Sequence, residues 1–341
     1  MSLPIFKAAA VQASPIYLDA KATVDKACDI VKEASTQGAR IVAFPEVFVP
    51  AYPYWSWIMS PVMGSSFFER LYHNSIDIPG PEVQTLCDSA KKNDCYIVIG
   101  VNERAPKKLG TIYNTNITIS PAGEILGCHR KLVPTWAEKL VWTGGDGSTL
   151  KVHETDIGVI GTLACGENTN PLARFTLMSQ GEQVHIANYI GLPTAPKDYN
   201  MAEAIKLRGM THSFEGKIFT IIACSTVSEE IITEMERFVP DARELLTRES
   251  SAFSGIIGPD GNLIGDGIID DEGIVYAEID LNRCIQPKQM HDILGHYNRF
   301  DIFDLRVNIA KQKPVKFIKK ENKDGSENYK RKKMRGDNES E

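Results

Sequence analysis

Short apolar segments that alternate with amphipathic helices constrain the fold of this chain more than any other feature. Residues 6–13 (FKAAAVQA) and 40–44 (RIVAF) have the composition of buried strands. Between them, Asp19 is placed to cap a helix with apolar residues from Val24 to Ala34, and Gly38 to end it. Such alternation predicts helices packed against a sheet, the arrangement of α/β proteins.

The pattern changes after the next helix and strand, predicted at 82–93 and 95–101. Residues 115–131 (TNITIS-PAGE-ILGCHRK) predict two strands joined by a turn, and 254–268 (SGIIG-PDGN-LIGDGI) repeat this pattern. Because hairpins join antiparallel strands, their mixture with strand–helix units indicates mixed sheets in an α/β fold. Further strands are predicted at 157–164, 183–188, 217–225 and 275–281, and helices at 171–179 and 199–216.

Charge divides the chain into two regions. Residues 311–341 carry 11 basic and 6 acidic side chains, whereas the whole chain has a net charge of −6. With 43% hydrophobic and 24% charged residues, the chain as a whole has the composition of a globular protein. We therefore predict one domain at 1–310 and a basic, disordered tail at 311–341. The acidic balance argues against nucleic acid as the main partner.

The cysteines and the N-terminal residues indicate the cellular compartment in which we expect the protein. Seven cysteines are scattered and form no CxxC pair, which is typical of reduced thiols. The first residues lack the basic start and long apolar run of a signal peptide, and no run of about 18 apolar residues predicts a membrane span. We expect a cytoplasmic protein without a membrane partner.

Cys165 is the strongest candidate for a reactive group. It directly follows the apolar strand at 157–164 and precedes a predicted helix, so free backbone amides would face a ligand there. A helix N-terminus would also lower the pKa of its thiol. The alternative is a small buried core residue, as free cysteines often are.

A thiol nucleophile needs a base and a group that stabilises negative charge. Glu46, in FPEVFVPAYP, is a carboxylate among apolar residues, and such surroundings would raise its pKa toward that of a general base. Lys131 ends the first predicted hairpin and could stabilise developing charge, while Glu138 could orient Lys131 or a substrate. Each could instead be an ordinary surface charge.

Three ordered segments together resemble a known family. FPEVFVPAYP, HRKLVPTWAE and CGENTNPLARF are similar to the three motifs of the nitrilase superfamily of carbon–nitrogen hydrolases. The segments GEQVHIANY, APKDYNMAEAIKLR, HSFEGKIF and HDILGHYNRFD resemble its bacterial nitrilase branch. The resemblance covers about residues 5 to 305, and the order of the motifs makes it specific.

The resemblance implies a catalytic triad of Glu46, Lys131 and Cys165, supported by Glu138. It implies a four-layer α-β-β-α sandwich that forms homodimers and extends into spiral homo-oligomers. It also implies hydrolysis of a small-molecule nitrile to an acid and ammonia through a Cys165 thioimidate. No cofactor and no metal are expected.

The substrate is harder to infer than the reaction. Many nitrilases have Trp directly after the nucleophile, whereas this chain has Gly166. From the matched segments we expect substrate contacts from Gly166, Tyr52, Trp142 and Asn188. The aromatic stretch at 51–61 (AYPYWSWIMSP) is interpreted either as a pocket wall or as a core or interface loop.

Three alternatives remain at this point. An amidase or carbamoylase of the same superfamily would use the same triad on an amide. A scaffold or nucleic-acid binder would use the basic tail, although charged runs are usually just solvated. A Cys–His pair would need a histidine such as His129, but no segment resembles a cysteine protease motif, and zinc-site spacing is absent.

Overall fold

The computed structural model describes residues 3–196, 198–313 and 315. Internal contacts group Met1–Ala310 as one compact unit and Lys311–Glu341 as another. The predicted disorder of the basic tail concerns residues that, apart from 311–313 and 315, lie outside the described part of the chain. No helix within the described part is long and apolar enough to cross a membrane.

Strands and helices alternate through most of the chain. The strands are β1 (Ile5–Gln12), β2 (Ala39–Ala43), β3 (Tyr96–Arg104), β4 (Ile112–Ile119), β5 (Ile125–Arg130), β6 (His153–Thr155), β7 (Gly158–Ala164), β8 (Val184–Ile190), β9 (Phe219–Ser225), β10 (Phe253–Ile257), β11 (Ile268–Ile269) and β12 (Gly273–Asp280). The helices are α1 (Ala20–Thr36), α2 (Trp55–Ile58), α3 (Ser65–Asn74), α4 (Pro81–Lys92), α5 (Pro171–Met178), α6 (Met201–Gly216), α7 (Glu229–Glu236), α8 (Ala242–Leu246) and α9 (Ile285–Lys288).

The strands form a mixed sheet, as the two kinds of connection predict. Their order is β5-β4-β3-β2-β1-β9-β8-β7-β6, with β12 added to β1 and β10 to β9. Pairs along β3–β2–β1 and β7–β8–β9 are parallel, and the β3–β4–β5 hairpins and the β12 and β10 additions are antiparallel. β1 and β9 pair only at Gln12 and Cys224, where the two halves of the sheet meet.

Alternating side chains of the strands build the layers. On β1, Ala9 and Val11 pack in a core shared with α1 and α4, while Ala8 and Ala10 point to the opposite face. That inner face shares its core with Ile186 of β8 and its neighbours, so the two halves of the sheet lie face to face. The outer face of β8 packs against α6. This arrangement confirms the predicted four-layer α-β-β-α sandwich.

Most predicted elements are present, and the caps explain their starts. Asp19 accepts a hydrogen bond from the Ala22 amide and caps α1, as predicted. The second hairpin was predicted too long, because Leu263 makes only an isolated bridge with Ile257 and Gly265 takes a φ of +68°. The helices α2, α3, α7, α8 and α9 were not predicted.

Candidate active site

Cys165 lies on a strained turn at the end of β7. It begins a 3-10 turn, Cys165–Thr169, and its own φ is +47°, a left-handed conformation that is costly for a residue with a side chain. The α-helix starts only at Pro171. Cys165 is 8% exposed and borders a cavity. The structure therefore places the predicted nucleophile at the end of β7, and its catalytic role stays a prediction.

The environment of Cys165 keeps its thiol protonated. Burial and the negative charge of Glu46 raise the pKa of the thiol well above its usual value, and the positive charge of Lys131 offsets this only in part. The predicted lowering of this pKa is therefore wrong, because burial and the charge of Glu46 outweigh the groups that lower it. A base has to remove the proton during the reaction.

Glu46 is carried by a turn that follows β2 and crosses β3. A Cβ on Gly100 of β3 would lie 2.3 Å from the Val47 nitrogen and 2.7 Å from the Glu46 Cα, so only glycine allows this approach. The Glu46 amide donates to the Tyr189 carbonyl on β8 at 3.2 Å. The carboxylate is thus held between the two halves of the sheet.

Lys131 joins two buried carboxylates. Its Nζ donates to Glu46 Oε1 and to Glu138 Oε2, each at 2.7 Å, and all three side chains are buried. Asn114 Nδ2 also donates to Glu46 Oε1 at 2.7 Å. Burial opposes the charge on Lys131, but the carboxylates of Glu138 and Glu46 outweigh it and raise the lysine pKa. Lys131 is therefore a fixed ammonium ion.

The two carboxylates differ in how many donors they receive. Glu138 accepts from Lys131, from the Thr135 amide at 2.7 Å and from the Tyr52 hydroxyl at 2.9 Å, so both of its oxygens are occupied. Glu46 Oε2 is buried and has no hydrogen-bond partner within the described residues. Burial, opposed by Lys131, raises the pKa of Glu46 to about 7. Glu46 can therefore accept a proton near neutral pH, whereas Glu138 is an anchor.

Glu167 ties the nucleophile turn to the segment that carries Lys131. Its carboxylate accepts from the Ala164 amide at 2.9 Å and from the Leu132 amide at 2.7 Å. His129 Nε2 lies 3.0 Å from it, and although burial alone would raise the pKa of Glu167, this imidazole outweighs burial and lowers it. The Glu167 carboxylate thus links Ala164, which precedes Cys165, to Leu132, which follows Lys131.

The cavity beside Cys165 has a volume of ≈ 550 Å³ and mostly apolar walls. Trp57 and Trp136 lie on its wall with their rings 6.0 Å apart. Arg208 also lines it, with Nε donating to Thr169 Oγ1 at 2.6 Å. Such a site fits a small, largely apolar molecule that reaches the thiol. The other apolar lining residues include Leu132, Val133, Pro134, Leu192, Pro196 and Met201.

The aromatic stretch at 51–61 serves both roles considered for it. Tyr52, Tyr54 and Trp55 are buried in a core cluster, whereas Trp57 lines the cavity. Its Nε1 donates to the Tyr52 hydroxyl at 2.8 Å. The cavity wall is in this way connected through Tyr52 to Glu138.

Of the four residues predicted to contact the substrate, one lines the cavity in the described part of the chain and three do not. Gly166 lines the cavity, and a Cβ there would lie 3.2 Å from Thr135 Oγ1. Tyr52, Trp142 and Asn188 are not among the described residues of the cavity wall. Their direct contact with substrate stays a prediction.

The polar groups of these three residues form hydrogen bonds with residues outside the cavity lining. The Tyr52 hydroxyl donates to Glu138, and Trp142 Nε1 donates to Asn102 Oδ1 at 2.8 Å. Asn188 exchanges hydrogen bonds with Asn116 across the sheets at 2.6 and 3.0 Å.

Asn114, Glu167, Asn168 and Arg208 were missed from the sequence. Asn114 lies one residue before the predicted hairpin, and its amide contact to Glu46 depends on strand register that the sequence does not display. Glu167 and Asn168 belong to the CGENTN segment, so their proximity to Cys165 was a usable signal.

Comparisons with known proteins agree with this geometry. The carbon–nitrogen hydrolase family matches residues 7–289. A nitrilase of Bacillus sp. (strain OxB-1) is 37% identical over 92% of this chain and 91% of its own length. An aliphatic nitrilase of Rhodococcus rhodochrous is 37% identical over 91% of this chain and 84% of its own. Nitrilase 3 of Arabidopsis thaliana is 36% identical over 94% and 92% of the two chains.

Solved structures share the fold at low identity. Saccharomyces cerevisiae Nit3, a member of branch 10 of the nitrilase superfamily, superposes with a TM-score of 0.66 at 20% identity, over 84% of this chain and 94% of its own. A carbon–nitrogen hydrolase of Helicobacter pylori G27 gives a TM-score of 0.65 at 19% identity, over 85% and 94%. With the family match and the close sequence relatives, this shows that the chain belongs to the carbon–nitrogen hydrolase family, the nitrilase superfamily.

Proposed function

We propose that this protein is a nitrilase that hydrolyses an organic nitrile to the carboxylic acid and ammonia, with Cys165 as the nucleophile. The observation that carries the proposal is a buried Glu46, whose Oε2 has no hydrogen-bond partner among the described residues and whose charge acts on the Cys165 thiol at the edge of an apolar cavity. Sequence relatives that cover more than nine-tenths of the chain are named nitrilases. They favour this reaction over the amidase or carbamoylase alternative.

The first half of the reaction forms a covalent thioimidate. Glu46 takes the proton from the Cys165 thiol, the sulfur attacks the nitrile carbon, and the proton passes to the nitrile nitrogen. Lys131 and the backbone amide of Gly166 stabilise the charge that develops on that nitrogen. Because Lys131 is already held by Glu46 and Glu138, it needs little rearrangement during the step.

The second half uses two waters. Glu46 takes a proton from the first water, which adds to the thioimidate carbon, and ammonia leaves to give a thioester. The second water attacks the thioester carbon and releases the acid, and the thiol regains its proton. Loss of the thiolate before ammonia would release an amide, so a minor amide product is expected. The residues perform these steps by acid–base and nucleophilic catalysis.

Turnover of matched substrates tests the proposal. The purified protein is assayed for ammonia and acid with a panel of aliphatic, arylacetonitrile, aromatic and dinitrile substrates, each beside its amide. We expect release from at least one nitrile, loss of turnover in Cys165→Ala, and wild-type activity in the thiol control Cys28→Ala. Hydrolysis of amides with no turnover of any nitrile would replace the nitrilase with an amidase. Ammonia release from a nitrile by Cys165→Ala would reject Cys165 as nucleophile.

Assembly and compartment belong to the same proposal. We infer homodimers that extend into higher or spiral homo-oligomers, without nucleic acid or membrane partners. The exposed Leu207 and Phe214 on α6 support pairing through a helical face. The cytoplasmic location is supported by the described cysteines, all of which are free thiols. Light scattering of the purified chain, with and without residues 311–341, tests the assembly and the role of the tail.

A further inference from the structure

A second buried cluster of ionisable groups is connected to the nucleophile turn through Asn168. Glu182 accepts from His185 Nδ1 at 2.7 Å and from His212 Nε2 at 2.8 Å, and none of the three side chains is exposed. The two imidazole rings stack with centroids 3.8 Å apart. The steps proposed above use none of these groups, although burying them without a function would be costly.

Asn168 connects this cluster to the nucleophile. Its Oδ1 lies 2.8 Å from His185 Nε2, and its Nδ2 donates to the carbonyls of Leu163 and Cys165, each at 3.1 Å. The Asn168 side chain is buried. One amide therefore holds the carbonyl of the nucleophile itself and that of the strand residue two positions before it.

The hydrogen bonds define which atoms carry protons. Two carbonyl acceptors require the NH₂ group of Asn168 on their side, so its oxygen faces His185 and Nε2 of His185 is the donor. Nδ1 of His185 faces the Glu182 carboxylate, so both ring nitrogens of His185 are engaged in hydrogen bonds. Burial would raise the pKa of Glu182, but the two histidines outweigh burial and lower it to about 2. Burial and the neighbouring His185 lower the pKa of His212 to about 4, which leaves it neutral.

The turn that Asn168 holds is strained. A left-handed conformation at Cys165 is unfavourable for a residue with a side chain, and the backbone relaxes unless its surroundings prevent it. His185, itself held by Glu182, fixes the Asn168 oxygen, so the amide nitrogen of Asn168 stays directed at the two carbonyls. The cluster therefore stabilises the conformation that points the thiol at the cavity.

We propose that Asn168, supported by His185, Glu182 and His212, is a positioning residue that holds the Cys165 backbone in its reactive left-handed turn. The proposal deepens the nitrilase assignment and rests on Cys165 as its nucleophile. It adds to the triad a buried chain of hydrogen bonds that positions the nucleophile and takes no part in the chemical steps. A misplacement of the thiol by about 1 Å is enough to lower turnover about 100-fold.

A bound cation is the rival explanation for this cluster. The ligand atoms of Glu182, His185 and His212 lie within 4.8 Å of one another. The carboxylate already accepts a hydrogen bond from each imidazole, however, and His185 uses its second nitrogen on Asn168. A metal would have to replace these bonds. Stoichiometric zinc in the purified protein, with activity lost on chelation, would overturn the positioning proposal.

The experiment compares Asn168→Ala with Ser213→Ala. Ser213 is buried on the same helix as His212, and its hydroxyl donates one hydrogen bond to Thr220 Oγ1 at 2.8 Å, away from the nucleophile turn. We expect Asn168→Ala to lower kcat about 100-fold with KM nearly unchanged, while Ser213→Ala keeps wild-type kcat. The rate of Cys165 alkylation by iodoacetamide, resolved by peptide mass spectrometry, should fall in parallel.

Alkylation separates this proposal from the nitrilase assignment because it needs no nitrile. If Asn168→Ala does not fold, His185→Gln takes its place, since glutamine keeps a donor for Asn168 but lacks the second ring nitrogen that contacts Glu182. Its kcat and alkylation rate should then lie between those of the wild type and background. Equal kcat and equal alkylation rates in the wild type and in whichever of these variants folds would overturn the proposal.

Discussion

Two buried glutamates near the nucleophile turn, Glu46 and Glu182, show how neighbouring groups determine the pKa of a carboxyl group. Glu46 and Glu182 are 1% and 3% exposed, so burial disfavours the charge of both. Yet the pKa of Glu46 is raised to about 7, whereas that of Glu182 is lowered to about 2. Burial alone therefore does not identify a catalytic base.

The difference lies in how the oxygens are used. Both oxygens of Glu182 accept hydrogen bonds from imidazoles, so its negative charge is fully compensated. Glu46 shares the ammonium ion of Lys131 with Glu138, and its Oε2 has no hydrogen-bond partner in the described part of the chain. An incompletely satisfied carboxylate is available for proton transfer, and a fully satisfied one supports structure.

Replacing Glu46 should have the largest effect on activity. Glu46→Gln keeps the shape but cannot accept the thiol proton, so we expect kcat/KM to fall by about 10³-fold or more. Because the buried Glu46 disfavours its charged form, its removal should leave the Tm at pH 8 equal to or above that of the wild type. Steady-state kinetics and thermal melts on one preparation check both parts. An active variant, or a clearly lower Tm, would contradict the comparison.

Glu138, whose oxygens are all occupied, provides the next test. Glu138→Gln should remove one anchor of Lys131 and lower kcat about 100-fold, since the ammonium ion loses its fixed position. Tyr52→Phe removes only one hydrogen bond to the same carboxylate and should stay within about tenfold of wild type. A larger loss in Tyr52→Phe than in Glu138→Gln would show that Glu138 is not an anchor.

The pH dependence of kcat/KM should report the ionisation of Glu46, the proposed base. Glu46 acts in its ionised form, so kcat/KM should fall as the pH drops below about 7, by about tenfold per pH unit. Initial rates at low substrate concentration between pH 5 and 9 measure this limb. A flat profile down to pH 5 would mean that Glu46 is not the group that takes the proton.

The cluster of Glu182, His185 and His212 should instead affect the pH dependence of folding stability. His212 has a folded pKa of about 4, below its unfolded value of about 6.5. The unfolded chain therefore binds more protons in this window, and stability falls as the pH falls through it. The slope contributed should be on the order of 1 kcal/mol per pH unit. His212→Gln should flatten urea midpoints between pH 6.5 and 4.5; an unchanged slope would contradict a neutral His212.

Sequence reasoning reached the elements whose signals are local. The Asp19 cap, the strand before Cys165 and the ordered motifs around Glu46 and Lys131 are each read from a few adjacent residues. The cluster of Glu182, His185 and His212 is not, because His185 lies on β8 and His212 on α6, and these elements meet only where α6 packs against the sheet. The pKa of Cys165 was misjudged for a related reason, since burial depends on packing that no local pattern reveals.

The most direct test of the account is the identity of the covalent intermediate. Wild-type protein is mixed with a substrate nitrile, quenched in acid within milliseconds to seconds, and digested for peptide mass spectrometry. We expect a thioimidate or thioester adduct on Cys165 that decays as acid forms, and no adduct in Cys165→Ala. An adduct on any other residue, or turnover with Cys165 unmodified at every time point, would contradict the account.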